Sequence, residues 1–471
     1  MQLTPATPAF EATLRATLPA PVFRPLEPRY LEEPRGKFHG ADALVLAPGS
    51  VEEVSTIIGR AQGERVAVVP YGGGTGLVCG QVAPDLPRPI LLTLERMNGI
   101  RALHAADNVI EVEAGAVLAH VQDEAEAAGR LFPLSLASEG TAQIGGLLAT
   151  NAGGVNVLRY GNARDLCLGI EAVLPDGTVL RGLKRLYKDN TGYDLRHLLC
   201  GSEGTLGIIT AASLKLSPRP RATGAAVLQV ESPKAALSLL EITRQVAAEG
   251  VSAFELIHRT GQAFLAEVMP QVRLPFGTLP EWVTLIELGV SAGPPPEELL
   301  TEIFEKAAEA GLVSDGVVAQ SERQRLAFWE MRESIPVANR LIGAICSHDI
   351  SVPVSIVPEF IDRAFRLVPD VGPFRINCFG HLGDGNLHFN VYPPKGEARS
   401  AYMDRAPEVV RRVHDLVHAL GGSFSAEHGV GRLKVGDLEH YGDPGRLAAM
   451  RAIKAALDPA GIMNPGAVLT R

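Results

Sequence analysis

Hydrophobic and polar residues follow two patterns along this chain, one typical of short buried strands and the other of amphipathic helices. Short apolar runs predict strands at residues 45–47, 66–70, 90–94, 109–113, 168–174, 178–181, 208–210, 225–230, 253–257, 283–289, 313–319, 350–354 and 423–426. Apolar residues spaced three or four apart predict helices at residues 8–18, 51–62, 117–129, 233–248, 296–310, 322–345, 357–367, 406–420 and 444–457. Pro336 is expected to interrupt the helix 322–345, because proline lacks the backbone N–H that a helix needs.

The order of these elements predicts an α+β fold with more than one domain. Residues 225–319 follow the order β-α-β-β-α-β, which is that of a ferredoxin-like sheet with helices on one face. The sequence Pro-Arg-Pro at residues 218–220 marks a change in composition and a domain boundary. We therefore expect an N-terminal arm at residues 1–38, domains at 39–218 and 219–430, and a C-terminal segment at 431–471.

Residues 374–392 (FRINCFGHLGDGNLHFNVY) predict a β-hairpin around Asp384-Gly385, because this dipeptide favours a tight turn between antiparallel strands. With a two-residue turn, His381 lies opposite His388, and Phe379 lies opposite Asn390. Directly opposed residues have Cβ atoms about 5 Å apart, a spacing that suits two histidine ligands of one divalent cation. The alternative is a pair of polar residues on a solvated face of the hairpin.

Composition and charge exclude several classes of protein. The net charge is −9 and no run of lysine or arginine occurs, which argues against nucleic-acid binding. No apolar run approaches the roughly 18 residues of a membrane span, and the first residues lack the pattern of a secretory signal. The five cysteines are widely spaced without a CxxC pair, which predicts reduced, mostly buried thiols. We expect a cytoplasmic protein, with peripheral membrane contact left open.

Three segments rich in small residues predict places where the backbone approaches a ligand closely. They are residues 72–76 (GGGTG), 138–154 and 201–207. Successive backbone N–H groups in such a loop can form an anion-binding nest for a pyrophosphate, and an ordinary glycine-rich turn is the alternative. The first segment does not open a long helix, so we do not expect a dinucleotide-binding Rossmann unit.

Residues 425–431 (SAEHGVG) add two ionisable side chains after the predicted strand 423–426. Glu427 would join His381 and His388 as a third metal ligand, and three protein ligands leave the open position of a catalytic site. If the strand continues, His428 points away from Glu427 and is available as a general base. The alternative is a buried Glu–His pair satisfied by hydrogen bonds.

Two further polar residues lie near this chemistry. Arg332 belongs to a helix of mixed charge, and the pattern by itself predicts a solvated helix face. Asn390 lies two residues after His388 and therefore on the same face of the hairpin, where it could hydrogen-bond a substrate.

Six motifs in order make the chain resemble a known family. They are PYGGGTG at 70–76, IGGLLATNAGG at 144–154, GSEGTLG at 201–207, GHLGDGNLHFN at 380–390, SAEHGVG at 425–431 and DPAGIMNPG at 458–466. Over residues 36–471 the chain is similar to the FAD-dependent 2-hydroxy-acid dehydrogenases of the vanillyl-alcohol oxidase/p-cresol methylhydroxylase superfamily. That group includes D-lactate dehydrogenases, D-2-hydroxyglutarate dehydrogenases and the flavoprotein subunit of glycolate oxidase.

The resemblance implies that residues 39–218 form a two-subdomain FAD-binding domain, that residues 219–430 form a substrate or cap domain, and that the C-terminal segment returns to the FAD domain. It implies that residues 72–76 hold the FAD pyrophosphate. The implied cofactor-binding residues are Pro70, Gly72, Gly73, Gly74, Thr75, Gly76, Leu77, Pro133, Ser138, Gly140, Thr141, Ile144, Gly145, Gly146, Thr150, Asn151, Gly154, Tyr160, Gly161, Glu203, Gly204, Gly207, Ile208, Ile209 and Asn464. The glycine-rich loop contains no histidine, so the FAD is expected to be non-covalent.

The resemblance also implies the chemistry. His381, His388 and Glu427 would ligate a divalent metal, with Zn²⁺ as the expected ion, and Arg332 and Asn390 would contact the substrate. His428 would take the hydroxyl proton with the help of the metal, and the C2 hydride of a D-2-hydroxy acid would pass to flavin N5, giving the 2-keto acid.

Two positions depart from the hydroxyglutarate pattern. Ser347 stands where those members carry lysine, and Pro336 stands where they carry threonine. Both family residues would help hold the carboxylates of the substrate, so their absence favours a different or smaller 2-hydroxy acid.

Several functional alternatives stay open at this point. One is a flavoprotein subunit of a larger oxidase, of the glycolate oxidase type, and another is a flavin-free zinc hydrolase. The expected partners are a small 2-hydroxy acid and an electron acceptor, namely a quinone, a cytochrome or an electron-transferring flavoprotein. A homodimer is one open oligomeric state.

Overall fold

The computed structural model describes residues 2–471 and divides into two compact units. Unit 1 contains the described residues up to Gly154, residues 161–218 and residues 427–471. Unit 2 contains residues 155–160 and 219–426. The sequence of unit 1 is therefore interrupted by unit 2 and completed by the last part of the chain.

The secondary structure mixes strands and helices along the whole chain. The strands are β1 Leu44–Leu46, β2 Val68–Tyr71, β3 Ile90–Thr93, β4 Ile100–His104, β5 Val109–Glu113, β6 Arg130–Leu131, β7 Cys167–Val173, β8 Val179–Gly182, β9 Ile208–Lys215, β10 Ser217–Pro218, β11 Ala222–Val230, β12 Val251–His258, β13 Trp282–Val290, β14 Val313–Val318, β15 Cys346–Ser351, β16 Arg375–His381 and β17 Asn386–Tyr392. The helices are α1 Pro8–Arg15, α2 Val51–Glu64, α3 Leu118–Ala127, α4 Ile144–Thr150, α5 Val157–Tyr160, α6 Leu195–Leu199, α7 Pro233–Ala247, α8 Arg259–Val268, α9 Pro296–Glu309, α10 Glu322–Ile342, α11 Val357–Leu367, α12 Ala406–Ala419, α13 Val435–Tyr441 and α14 Pro444–Leu457. Short 3₁₀ turns lie at Ala20–Val22, Pro28–Tyr30, Ala248–Gly250, Val354–Ile356, Val368–Asp370 and Arg399–Arg405.

Unit 1 is built on two main sheets. A three-stranded parallel sheet has the order β1-β3-β2, and a five-stranded antiparallel sheet has the order β4-β5-β9-β7-β8. Helix α2 begins where the sequence predicts, because the Ser50 hydroxyl accepts a hydrogen bond from the Glu53 backbone N–H at 3.2 Å. The predicted strands 168–174 and 178–181 are confirmed as β7 and β8, which pair antiparallel.

Unit 2 is a seven-stranded antiparallel sheet with the order β14-β11-β13-β12-β16-β17-β15. The first four strands have the ferredoxin-like order, and α7 and α9 pack on one face through Leu239 and Leu300. The prediction of helices on one face is incomplete, because α8 and α10 cover the other face through Phe264 and Ile335. The sheet is therefore buried on both sides, and its polar residues must find partners inside.

Helix α10 continues through Pro336, so the predicted interruption is wrong. Met331, Ile335 and Ala338 are fully buried on either side of the proline. Their packing against the sheet stabilises the helix across the hydrogen bond that proline removes.

Several helices and strands were not predicted from the sequence pattern, and one predicted strand does not form. The prediction omitted β4, β6, β10, α4, α5, α6, α8 and α13, of which α4 has the small-residue sequence IGGLLAT that hides helical periodicity. The predicted strand 423–426 is also wrong, because only isolated bridges form there, at Ser423 and Ser425. All five cysteines are buried as predicted, and no helix within residues 2–471 has the length and apolar character to cross a bilayer.

The hairpin β16–β17 exists, but its predicted register is wrong. Four residues, Leu382–Gly385, form the turn, and Phe379 lies opposite His388 while Asn377 lies opposite Asn390. Gly385 has φ +83°, and its N–H donates to the His381 carbonyl at 3.1 Å. The shift between strands is an even number of residues, so His381 and His388 still share one face as diagonal neighbours.

We predict that Gly385→Ala destabilises unit 2 more than Gly396→Ala does. Both glycines have φ near +84°, a conformation that costs alanine about 1–2 kcal/mol. Only at Gly385 would an added Cβ lie 2.1 Å from the Val352 carbonyl oxygen, whereas nothing lies within 4 Å at Gly396. Denaturant titration should show an additional loss of about 1–3 kcal/mol for Gly385→Ala. Equal losses for the two variants would refute the close packing of this turn.

Candidate functional site

Unit 1 encloses a cavity of about 520 Å³ between its glycine-rich segments. Many of the residues predicted to bind the cofactor line it, namely Pro70, Gly72, Gly73, Gly74, Thr75, Gly76, Leu77, Ser138, Gly145, Gly146, Thr150, Gly154, Glu203, Gly204, Gly207, Ile208, Ile209 and Asn464. The three glycine-rich segments, which are far apart in sequence, therefore meet around one space.

Seven of the predicted residues do not line this cavity. They are Pro133, Gly140, Thr141, Ile144, Asn151 and Gly161 in unit 1, and Tyr160 in unit 2. Asn151 ends helix α4 in the left-handed conformation, and its side-chain oxygen accepts a hydrogen bond from the Arg164 backbone at 2.9 Å. The sequence reasoning also missed Tyr71, Gln81 and Gln143, which line the cavity directly beside the predicted residues.

The first glycine-rich loop packs directly on the second. A Cβ added to Gly73 would lie 2.0 Å from the Thr141 carbonyl oxygen, so only glycine fits there. A Cβ added to Gly146 would meet no protein atom within 4 Å, although Gly146 lines the cavity. The backbone at Gly146 is therefore open to a ligand, and the close, side-chain-free walls fit a flavin nucleotide.

Glu203, which lines the cavity, binds the start of the C-terminal segment through hydrogen bonds. Its buried carboxylate accepts hydrogen bonds from the backbone N–H groups of Val430 at 2.8 Å and Gly431 at 2.7 Å. Burial raises the pKa of the Glu203 carboxyl, while the two N–H donors act in the opposite direction. Glu203 was predicted to bind cofactor; it lines the cavity, and its side chain also holds the residues that follow His428.

Asn464 and Arg432 complete this connection. The Asn464 amide donates to the Glu203 carbonyl at 2.8 Å and to the Gly80 carbonyl at 3.1 Å. The Arg432 guanidinium donates to the Asn464 side-chain oxygen at 2.7 Å and to the Cys79 carbonyl at 3.0 Å. The C-terminal segment thus fixes the chain that follows the 72–76 loop.

Glu427 and His428 both line the cavity of unit 1. The expectation that they point apart is wrong, because His428 Nε2 lies 3.6 Å from Glu427 Oε1. The reason is that no strand continues through residues 423–428, so the alternation of side chains between two faces does not apply. His428 remains partly exposed beside the space where a flavin fits.

In unit 2 the two hairpin histidines lie on the sheet face that α8 and α10 cover. The ring centroids of His381 and His388 are 6.0 Å apart. Asp349 on β15 lies opposite His388 and accepts a hydrogen bond from Asn386 at 3.0 Å. The sequence reasoning missed Asp349, which lies two residues after Ser347.

A second missed residue, Glu255, joins two predicted site residues. Its carboxylate is fully buried and accepts a hydrogen bond from Arg332 Nε at 2.5 Å, while its other oxygen lies 2.5 Å from His381 Nδ1. Burial alone would raise the pKa of Glu255, but the charge of Arg332 and the contact with His381 lower it to about 2. Glu255 is therefore ionised at neutral pH, and Arg332 balances its charge.

The solvated-face interpretation of Arg332 is wrong, because the residue is only 5% exposed. The guanidinium lies over the Phe379 ring, with Cζ 4.9 Å from the ring centroid. Within residues 2–471 no hydrogen bond of its terminal Nη nitrogens is found, so these donors remain for a ligand. A charge in the middle of the apolar run VSAFELIH was the sequence signal that β12 needs a buried partner.

Asn390 lies next to this group on the same sheet face. It is 6% exposed, and its side-chain oxygen has no hydrogen-bond partner within residues 2–471. Ser347 lies opposite Asn390 on β15 and is exposed, and Pro336 is exposed on α10. An unsatisfied buried amide oxygen points to a missing donor, such as a substrate hydroxyl or a water molecule.

Comparison with known proteins identifies related sequences over nearly the whole chain. Residues 219–468 match the family described as FAD linked oxidases, C-terminal domain, and residues 43–182 match the FAD binding domain. The mitochondrial D-2-hydroxyglutarate dehydrogenase of Arabidopsis thaliana is 36% identical over 92% of this chain and 76% of its own length. A putative mitochondrial D-lactate dehydrogenase of Schizosaccharomyces pombe is 36% identical over 91% of this chain and 82% of its own.

The fold is also found in solved structures. The structure of p-cresol methylhydroxylase with substrate bound aligns over 91% of this chain and 88% of its own, with a TM-score of 0.70 and 17% identity. At this identity the likeness concerns the fold. It confirms the predicted α+β architecture.

We predict that Gly146→Leu folds normally and loses FAD. The new side chain has room at its Cβ but extends into the space that the cofactor needs, and overpacking of about 1–3 kcal/mol lowers affinity roughly 5- to 150-fold. The ratio of flavin to protein and the melting temperature measure the two effects separately. Gly140→Leu is the matched control, because its Cβ also meets nothing and it lies outside the cavity. Full flavin content in Gly146→Leu would contradict this placement of the cofactor.

Proposed function

This chain belongs to the FAD-linked oxidase family, and we propose that it oxidises a D-2-hydroxy acid to the corresponding 2-keto acid. The observation that carries the proposal is Arg332, a buried cation with unused donors on the sheet face that also holds His381 and His388. FAD, when bound, supplies the two-electron acceptor for the hydrogen that leaves C2 as hydride.

Arg332 fits the role of binding the substrate carboxylate. Its Nε is held by Glu255, and its two Nη groups can donate two parallel hydrogen bonds to a carboxylate. The contact with Phe379 removes further rotational freedom. The guanidinium is thus oriented before substrate binds, which lowers the entropic cost of holding the acid.

His428 and Asn390 fit roles at the 2-hydroxyl. His428 lines the cavity of unit 1 and is an imidazole that can accept the hydroxyl proton near neutral pH. Asn390 has a buried side-chain oxygen that can accept a hydrogen bond from the substrate. Both roles are part of the proposal.

We also propose a divalent cation, with zinc as the first ion to test. His381 and His388 supply two imidazoles, and the sequence predicts Glu427 as the third ligand, a donor set that suits zinc. Because Nδ1 of His381 faces Glu255, this residue would use Nε2. A cation held there would lower the pKa of the substrate hydroxyl and help His428 to remove the proton.

The relatives support a 2-hydroxy acid as the substrate, and this sequence favours a smaller member of that class. The relatives named above are a D-2-hydroxyglutarate dehydrogenase and a putative D-lactate dehydrogenase. The neutral Ser347 beside Asn390 offers no cation for a second carboxylate, which favours a smaller acid such as lactate. The flavin-free hydrolase is set aside because the chain belongs to an FAD family, and we propose a quinone, a cytochrome or an electron-transferring flavoprotein as final acceptor.

A panel of 2-hydroxy acids tests the function directly. The FAD-loaded and zinc-loaded protein is mixed under anaerobic conditions with D- and L-lactate and with D- and L-2-hydroxyglutarate. We expect the D-isomer of at least one acid to bleach the flavin absorbance, with the L-isomers far slower. Failure of every D-2-hydroxy acid in a broader panel to reduce the flavin would reject the proposal.

We predict that Arg332→Lys raises KM with a smaller change in kcat. Lysine keeps the positive charge beside Glu255 but loses the two-pronged contact, a loss of about 1.5–3 kcal/mol that raises KM roughly 10- to 150-fold. Arg325→Lys is the matched control on the same helix, because Arg325 binds Glu287 rather than Glu255. A fall in kcat at unchanged KM would show that Arg332 does not bind the carboxylate.

A further inference from the structure

We propose that Glu255 is a positioning residue that fixes Arg332 and His381 at the same time, one for the substrate carboxylate and the other for the cation. This inference rests on the proposed function for the roles of its two partners. Glu255 was absent from the site that the sequence predicts. Glu255 does not line the cavity of unit 1. Within residues 2–471 its ion pairs are those with Arg332 and His381.

The geometry assigns one carboxylate oxygen to each partner. Arg332 Nε donates to Oε2 at 2.5 Å, and His381 Nδ1 lies 2.5 Å from Oε1. Glu255 lies opposite His381 in the β12–β16 pairing, whereas Arg332 comes from helix α10 above the sheet. One side chain therefore links two adjacent strands to the helix that covers them.

This arrangement determines which nitrogen of His381 can bind a cation. A carboxylate has only acceptor oxygens, so the proton of the imidazole must lie on Nδ1. The lone pair of Nε2 is then directed away from Glu255, and Nε2 is the nitrogen that would coordinate the proposed cation. Such carboxylate–histidine contacts orient metal ligands, and their loss typically lowers metal affinity about 10- to 100-fold.

The same carboxylate determines how Arg332 presents its donors. With Nε bound to Glu255 and Cζ 4.9 Å from the Phe379 ring centroid, the two Nη groups are the donors that remain for a ligand. Glu255 thereby sets the distance and angle between a carboxylate bound to Arg332 and a cation bound to His381. A 2-hydroxy acid carries its carboxylate and hydroxyl on adjacent atoms, so both contacts must have a fixed relation.

The substitution Glu255→Gln separates this positioning role from a role in packing alone. Its amide has the same shape, but it offers one acceptor and one donor group. If the amide oxygen accepts from Arg332, the NH₂ group faces His381 Nδ1 and moves the imidazole proton to Nε2. The tautomer that can coordinate a cation is then lost, although the side chain still fills the space.

The experiment compares Glu255→Gln with Glu287→Gln. Glu287 lies on the neighbouring strand β13 and accepts hydrogen bonds from Arg325 at 2.5 Å and Trp329 at 2.6 Å. It is a matched control, because both residues of helix α10 that it binds are outside the proposed site. Zinc affinity is measured by chelator competition on the FAD-loaded protein, and KM and kcat come from flavin reduction by the best D-2-hydroxy acid.

We expect Glu255→Gln to lower zinc affinity about 10- to 100-fold and to raise KM, with flavin content unchanged. Glu287→Gln should lower the melting temperature without changing zinc affinity or KM. If Glu255→Gln lowers only the melting temperature and keeps wild-type zinc affinity and KM, Glu255 is a structural ion pair and the proposal is wrong.

A second variant keeps the proposal testable if Glu255→Gln folds poorly. Glu255→Asp keeps the acceptor-only carboxylate and should bind zinc more tightly than Glu255→Gln, even though it is shorter. Equal zinc affinities of the two variants would overturn the proposal. Zinc binding does not require turnover, so this readout stands even if no 2-hydroxy acid reduces the flavin and the proposed function fails.

Discussion

A fully buried negative charge constrains the second unit of this protein. Glu255 lies in the middle of an apolar strand with no exposure to solvent, and such a charge is tolerated only with a close cation and hydrogen-bond donors. Arg332 and His381 supply these, so helix α10 and strand β16 must lie where they do. The residues proposed to bind the substrate and the cation are also the ones that neutralise this carboxylate, so the same contacts stabilise the sheet and hold the proposed site rigid.

The first unit has a different structural requirement: its glycine-rich backbone must be held in place around a cavity. Its loops carry few side chains, so their positions depend on contacts from elsewhere. Glu203, Arg432 and Asn464 provide them by hydrogen bonding to the backbone of the returning C-terminal segment and of the loop after residue 76. This explains why the last part of the chain belongs to the unit that its first half begins.

The sequence predicted the parts of the structure that local pattern determines. The helix Val357–Leu367, the hairpin and the gathering of glycine-rich segments follow from periodicity, turn chemistry and family motifs. The register of the hairpin was wrong because turn length, rather than the Asp-Gly pair, sets it. Glu255 was missed because its partners Arg332 and His381 lie 77 and 126 residues away along the chain. Local sequence pattern does not show which distant residues pair.

The most direct measurement of the central claim is a double-mutant cycle between Glu255 and Arg332. The second-order rate constant of anaerobic flavin reduction by a D-2-hydroxy acid is compared for wild type, Glu255→Gln, Arg332→Lys and the double variant. If one carboxylate orients this guanidinium, the double variant loses less than the sum of the single losses, by about 1 kcal/mol or more. Losses that add within about 0.5 kcal/mol would show that the two residues act independently and would contradict the account.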